Sequence, residues 1–165
     1  MARILIVGGG CRGRRLAETL VADGHALRIT TRTEAGRAAI EACGAECWIG
    51  TPDRLATLRA ALENVTILCW LLASAVGPAQ ELSALHGTRL EFFLTQAIDT
   101  TVRGFVYESA GPRTPPPARA EGERIVRRMA ALNAIPVAYL TAGHSDIDAW
   151  LNEARAAIDA LLLSA

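Results

Sequence analysis

The 165-residue sequence contains no lysine; all seventeen of its basic residues are arginine. Any mechanism that requires a lysine ammonium is therefore excluded. Aromatic residues make up only 5%, so a core has to be assembled from Ala, Leu, Val and Ile. The same scarcity removes the aromatic platforms of a nucleic-acid binder. Net charge is absent too: 17 basic and 17 acidic residues cancel, leaving no overall field to draw in nucleic acid or an anionic membrane. No apolar run approaches the ~20 residues of a membrane helix; the longest, around Ile67 to Val76, is far too short. Cys11, Cys43, Cys47 and Cys69 form no Cys-x-x-Cys pair. With only three histidines as partners, neither a metal site nor a disulfide framework is expected. The reading is reduced thiols in a cytoplasmic protein. Met1-Ala2 runs straight into the strand-like Arg3 to Val7, which is not the pattern of a signal peptide.

What is present is a hydrophobic content of 51%, enough for a real core in one domain spanning 1–165. Six short apolar runs alternate with helical stretches. Strands are expected at Ile4 to Val7, Ala26 to Thr31, Ala45 to Ile49, Thr66 to Leu72, Gly104 to Glu108 and Pro136 to Thr141. Helices are expected at Gly13 to Asp23, Glu34 to Cys43 and Asp53 to Leu62, the last with Thr51 as cap before Pro52. Further helices are expected at Gln80 to Thr100 (weakened by Gly87), Ala118 to Leu132 and Asp146 to Leu163. Such alternation implies an α/β fold: a doubly wound parallel sheet of about six strands with helices on both faces. The last helix carries Ile147, Trp150, Leu151, Ala154, Ile158, Leu161 and Leu162 on one broad apolar face. That face covers the sheet, with any excess available for a homodimer.

Gly8-Gly9-Gly10-Cys11-Arg12-Gly13 closes the first strand and opens the first helix. A lone Gly-x-Gly-x-x-Gly is a weak signal; in this strand–turn–helix context it reads as a Rossmann dinucleotide loop. Gly8 permits the turn, Gly10 lets a pyrophosphate approach the backbone, and Gly13 lets the helix pack on the sheet. The helix start supplies free N–H groups, those of Cys11 and Arg12 included, and positive dipole. An NAD-specific fold presents an acidic residue ~20 positions further on. Eighteen residues after Gly13 the sequence has Thr31, then Arg32 and Thr33, and no carboxylate. A guanidinium flanked by hydroxyls suits a 2′-phosphate, so NADP is expected over NAD, with Arg12 able to reach the same phosphate. Ala73-Ser74-Ala75 after the fourth strand and Ser109-Ala110-Gly111 after the fifth lie at the carboxyl edge. Their small side chains leave room for the nicotinamide half.

Ile4-Leu5-Ile6-Val7-Gly8-Gly9-Gly10-Cys11-Arg12-Gly13-Arg14-Arg15-Leu16-Ala17, then Asp23-Gly24-His25 and Thr31-Arg32, resembles atypical short-chain dehydrogenase/reductase proteins. The resemblance is to their NAD(P)-binding epimerase-like and NmrA-like group. His86-Gly87-Thr88 and Gly104 to Gly111 look like that group's fourth helix and fifth strand. Ala118 to Arg124 looks like the helix that normally carries its catalytic lysine, and Pro136 to Gly143 like its sixth strand. Active members use a Tyr-x-x-x-Lys pair, and by register this chain has Pro115 and Arg119 there. The resemblance implies that Arg119 can hold ribose hydroxyls, and that Ser109 matches a serine that polarises a substrate carbonyl. Tyr107 and Tyr139, the only phenols, lie in strands and read as core.

No substrate domain is expected after the sixth strand, where Gly143-His144-Ser145-Asp146 leads into the last helix. His144 can face the crevice as a proton donor or simply sit in a loop capped by Ser145. Ser109 and His144 are the catalytic candidates. The expected function is an NADPH-dependent oxidoreductase reducing a small acceptor such as a flavin or quinone. The alternative is a non-catalytic dinucleotide-binding sensor or regulatory subunit. Epimerase or dehydratase action on a nucleotide sugar is disfavoured, since no domain to hold the sugar is expected.

Overall fold

A computed structural model describes residues 1–109 and 111–164 of the chain. Six strands form one sheet: β1 (Arg3–Gly8), β2 (Ala26–Thr31), β3 (Glu46–Ile49), β4 (Ile67–Leu71), β5 (Gly104–Glu108) and β6 (Val137–Leu140). Their order is β3-β2-β1-β4-β5-β6, with every pairing parallel. β4 is apolar throughout, and β1 and β5 are free of charge from Ile4 to Val7 and from Gly104 to Tyr107, because helices cover both faces of the central strands. The six helices are α1 (Gly10–Ala22), α2 (Arg37–Glu41), α3 (Ala79–Leu85), α4 (Thr88–Ile98), α5 (Pro116–Asn133) and α6 (Ile147–Ser164).

Strand alternation divides the core in two. Ile4, Ile6, Cys69 and Val106 face α1 and α6, which bury Leu16, Leu20, Trp150, Ala154, Ile158 and Leu161 against them. Leu5, Val7, Leu68, Trp70, Phe105 and Tyr107 face the other way, onto Leu90 and Phe93 of α4 and Ile125 and Val126 of α5. The expected α/β sheet is thus present, with its six strands where apolar patterning placed them.

Three expected helices are shorter or broken, each for a local reason. The stretch Asp53 to Leu62 is two 3-10 turns, Leu55–Thr57 and Arg59–Leu62. The Thr57 hydroxyl accepts from the Thr51 N–H at 2.9 Å and donates to the Arg54 carbonyl at 2.6 Å, offering the backbone an alternative to the helical ladder. The expected helix from Glu34 starts as a 3-10 turn, Glu34–Gly36, and only Arg37–Glu41 is α-helical. Gly36 packs so closely on Thr31 that a Cβ there would lie 2.2 Å from its Oγ1. The long helix Gln80 to Thr100 breaks at Gly87 into α3 and α4. Asp146, not Ser145, caps α6, accepting from the Ala149 N–H at 2.9 Å.

Candidate functional site

The chain leaves β1 toward β2 and β3 on one side and returns to β4 on the other, so strand order reverses beside β1. In open α/β sheets ligands lie outside the carboxyl ends of the strands at such a switch point. There the turn between β1 and α1 is held by Gly9, whose N–H donates to the Leu71 carbonyl at 2.7 Å. Gly8 adopts φ 85°, a region open to glycine; a Cβ on it would stand 2.4 Å from Leu72 Cδ2.

The helical ladder begins with the Gly13 N–H, which donates to the Gly9 carbonyl at 2.9 Å. The N–H groups of Gly10, Cys11 and Arg12 therefore have no partner among the described residues. Gly10 has φ 52°, and a Cβ built on it would meet nothing within 4 Å. Three open amides, the positive end of a thirteen-residue helix and a bare backbone converge on the same side of the turn. This is a cradle that can receive an anionic group such as a diphosphate.

From the cradle a cavity of about 230 Å³ runs toward the end of β2, lined among others by Gly8, Gly10, Arg14, Thr31, Arg32 and Gly36. A second, of about 90 Å³, shares Gly8, Thr31 and Arg32 and continues to Gly50 and Pro52. Arg32 is 64% exposed at this edge, with Asp53 Oδ2 at 3.3 Å. Arg14, which the sequence reading passed over, lines the cavity that Arg12 was expected to serve. It also donates to the exposed Cys11 Sγ at 3.2 Å.

Arg12 itself turns the other way, and the phosphate role expected for its side chain is corrected by its surroundings. Its Nη1 donates to Glu108 Oε1 at 3.1 Å and its guanidinium lies 4.7 Å above the Trp150 ring. The same Oε1 accepts from Trp150 Nε1 at 2.9 Å. His144 Nε2 stands 3.1 Å from that oxygen but out of line for a hydrogen bond. Glu108 is 1% exposed, and its Oε2 and Arg12 Nη2 have no partner among the described residues. His144 is thus placed against a buried ion pair. Burial and the Arg12 charge push its pKa down, opposed by Glu108.

Farther along the edge, the Ser109 hydroxyl donates to Glu123 Oε1 at 2.6 Å, and Arg119 Nε donates to that oxygen at 3.2 Å. The two hydrogen bonds, Ser109 first, hold the Glu123 carboxyl below the ordinary range. The structure therefore brings Ser109 and Arg119 together through a residue that sequence reasoning missed. The i,i+4 spacing of Arg119 and Glu123 was the available signal. Ionised Glu123 occupies the Ser109 proton and Ser109 is itself buried, so this hydroxyl has no proton free to donate to a ligand. Ala73 is buried, with Thr114 Oγ1 donating to its carbonyl at 3.1 Å. Ser74 is half-buried beside it, and Ala110 lies outside the described residues.

Tyr107 is fully buried, as expected of a core phenol, while Tyr139 is half-buried. The Tyr107 hydroxyl meets His86 Nδ1 at 2.8 Å, inside the break between α3 and α4. Burial lowers the His86 pKa to about 4, against a weaker opposing contact with the Leu72 backbone. The unfolded chain, with histidine near 6.5, therefore binds protons that the folded one refuses. Stability is complete above about pH 6.5 and falls by roughly 3 kcal/mol as pH drops toward 4. Thermal unfolding followed from pH 7 to pH 4.5 is expected to show this loss. In His86→Phe most of that slope disappears; an equal slope in both proteins would assign it elsewhere.

No protein-family model and no curated protein matches this sequence. Among solved structures, UDP-glucuronic acid 4-epimerase from Bacillus cereus in complex with NAD superposes with TM-score 0.64 at 14% identity, over 86% of this chain and 56% of that one. Triphenylmethane reductase from Citrobacter sp., complexed with NADP(H), gives TM-score 0.61 at 17% identity, over 83% and 48%. Vestitone reductase from alfalfa gives 0.60 at 15%, over 84% and 56%. These likenesses show a Rossmann-like fold; at such identities fold does not carry function. The chain spans about half the length of these three structures. None of its helices is long and apolar enough to cross a membrane among the described residues.

Proposed function

We propose that the chain binds a nicotinamide dinucleotide on the β1–α1 turn, NADP(H) in preference to NAD(H), and serves as a reductase of a small acceptor such as a flavin or quinone. The observation that carries the reading is the cradle: three amides without partners beneath the open face of Gly10, at the switch point of a parallel sheet. The neighbours complexed with NAD and NADP(H) support the cofactor class. A bound nicotinamide would supply hydride chemistry. The chain's own groups would do the rest. Gly10, Cys11 and Arg12 N–H groups hold the diphosphate, and Arg32 with Thr31 and Arg14 meets the adenosine end. Ser109, Arg119 and Glu123 present acceptor and donor atoms at the opposite end. β2 runs into Thr31 and Arg32, and the carboxylate at that edge, Asp53, comes from the loop after β3 and is already engaged by Arg32 and Arg89; an exposed guanidinium at this place favours the phosphorylated dinucleotide.

Calorimetric titration with NADPH and NADH tests the preference. Arg32→Ala is expected to reduce the NADPH-over-NADH preference by about 1–3 kcal/mol, the scale of a charge-assisted hydrogen bond. An unchanged preference moves the 2′-phosphate site elsewhere. Turnover is tested by NADPH oxidation with flavin and quinone acceptors. Dinucleotide binding without acceptor-dependent oxidation in either class overturns the reductase.

One observation favours a second reading, a non-catalytic sensor. The Ser109 proton is committed to Glu123, and Pro115 stands at the start of α5 where the resembling proteins place a tyrosine. A sensor has to distinguish its two ligands, so unequal affinities for NADP+ and NADPH are its signature. Equal affinities remove it.

A further inference from the structure

Asp53 reaches the β2 edge from the loop after β3, and its two oxygens are divided between two arginines. Arg32 Nη2 lies 3.3 Å from Oδ2, and Arg89 Nη1, from the first turn of α4, donates to Oδ1 at 2.6 Å. The Thr51 hydroxyl, 3.3 Å from Oδ2, and the Asp53 N–H, bonded to that hydroxyl at 3.2 Å, fix the side chain in this position. Asp53 is one-third exposed and Arg89 one-quarter exposed; neither lines the cavity, but Asp53 touches it through Arg32 and follows Pro52, both of which do. The carboxylate held against Arg32 occupies the place that a phosphate group would take against the same guanidinium, while Arg89 holds the carboxylate's other oxygen.

We infer that Asp53 is an internal stand-in for the 2′-phosphate of NADP(H) and sets how strongly the site prefers the phosphorylated dinucleotide. The inference rests on the dinucleotide reading above. In the free chain the carboxylate satisfies Arg32 and Arg89. A 2′-phosphate has to take Arg32 from it, and does so against the repulsion of the displaced negative charge. Arg89 acts on Asp53 rather than on the ligand: by holding Oδ1 it weakens the competition for Arg32. NADH carries no phosphate at this position and is indifferent to the exchange.

Removing the competitor and removing its restraint therefore have opposite effects. Asp53→Asn is expected to tighten NADPH about tenfold while leaving NADH within twofold, the size of one charge–charge contact at a partly exposed position. Arg89→Ala is expected to weaken NADPH several-fold, again sparing NADH. The double variant Asp53→Asn/Arg89→Ala regains the affinity of Asp53→Asn. Calorimetry on the full chain, with circular dichroism to confirm folding, reads all three. If wild type binds NADPH but Asp53→Asn leaves the NADPH:NADH ratio unchanged or lowers it, the stand-in role is wrong and the cofactor reading survives. A loss of NADH affinity in Asp53→Asn makes the carboxylate a ribose acceptor and also overturns it. Failure of wild type to bind either dinucleotide removes both.

Discussion

Gly10→Ala is expected to fold normally and to lose dinucleotide binding by about 100-fold or more, roughly 2.7 kcal/mol. The position separates binding from stability in a way its neighbours do not. Gly10 has φ 52°, and a Cβ on it meets nothing within 4 Å. An alanine there costs about 1–2 kcal/mol of left-handed backbone strain and no clash. That leaves most of the ~5–15 kcal/mol typical of a domain. The space the methyl fills is the space over the open amides of Gly10, Cys11 and Arg12, through which a diphosphate must come within hydrogen-bond distance. Gly8 is a poorer probe, because its Cβ would collide with Leu72 and with the Leu71 carbonyl, so a lost signal there could be unfolding. Calorimetry with NADPH, alongside thermal unfolding, reads both quantities on one sample. Retained affinity in a folded Gly10→Ala chain would show that no phosphate approaches this turn.

The second large effect is expected at the ion pair beneath the same turn. Glu108→Ala leaves the Arg12 guanidinium charged, only 9% exposed, and without its carboxylate. Arg12→Ala leaves Glu108, 1% exposed, with only the Trp150 N–H as an aligned donor. Breaking a buried pair from either side costs about 3–5 kcal/mol. At about 2–4 °C per kcal/mol for a chain of this size, Tm should fall by roughly 10 °C. The cost is a desolvated charge more than a lost attraction, so removing both partners at once, Arg12→Ala with Glu108→Ala, should cost much less than the sum of the single losses. Thermal unfolding of the four proteins at pH 7 forms the cycle. Single variants within 1 kcal/mol of wild type would mean that the cluster is solvated and does not tie α6 to the turn.

Elements and site were legible to different depths because their causes act over different distances. β1, β4 and β5 were readable because strands covered on both faces run uncharged through their centres, and α6 because Trp150, Ala154, Ile158 and Leu161 recur at helical spacing. The 3-10 turns after β3 were not, since they depend on the Thr57 hydroxyl competing for backbone groups six residues away. At the site, the glycine spacing carries its own geometry within six residues, and the cradle is where that spacing put it. Arg12 was misread because its partner, Glu108, is 96 positions away; nothing local marks an arginine in a phosphate loop as facing inward. Asp53 went unread for the same reason: its two arginines come from the turn after β2 and from α4.

Amide chemical shifts of the Gly9–Gly13 segment during titration with NADPH put the question to the backbone itself. Saturable shifts of the Gly10, Cys11 and Arg12 N–H signals, absent in Gly10→Ala, are the result expected of a diphosphate seated on the start of α1. Binding that moves other amides and leaves these three unchanged would contradict it.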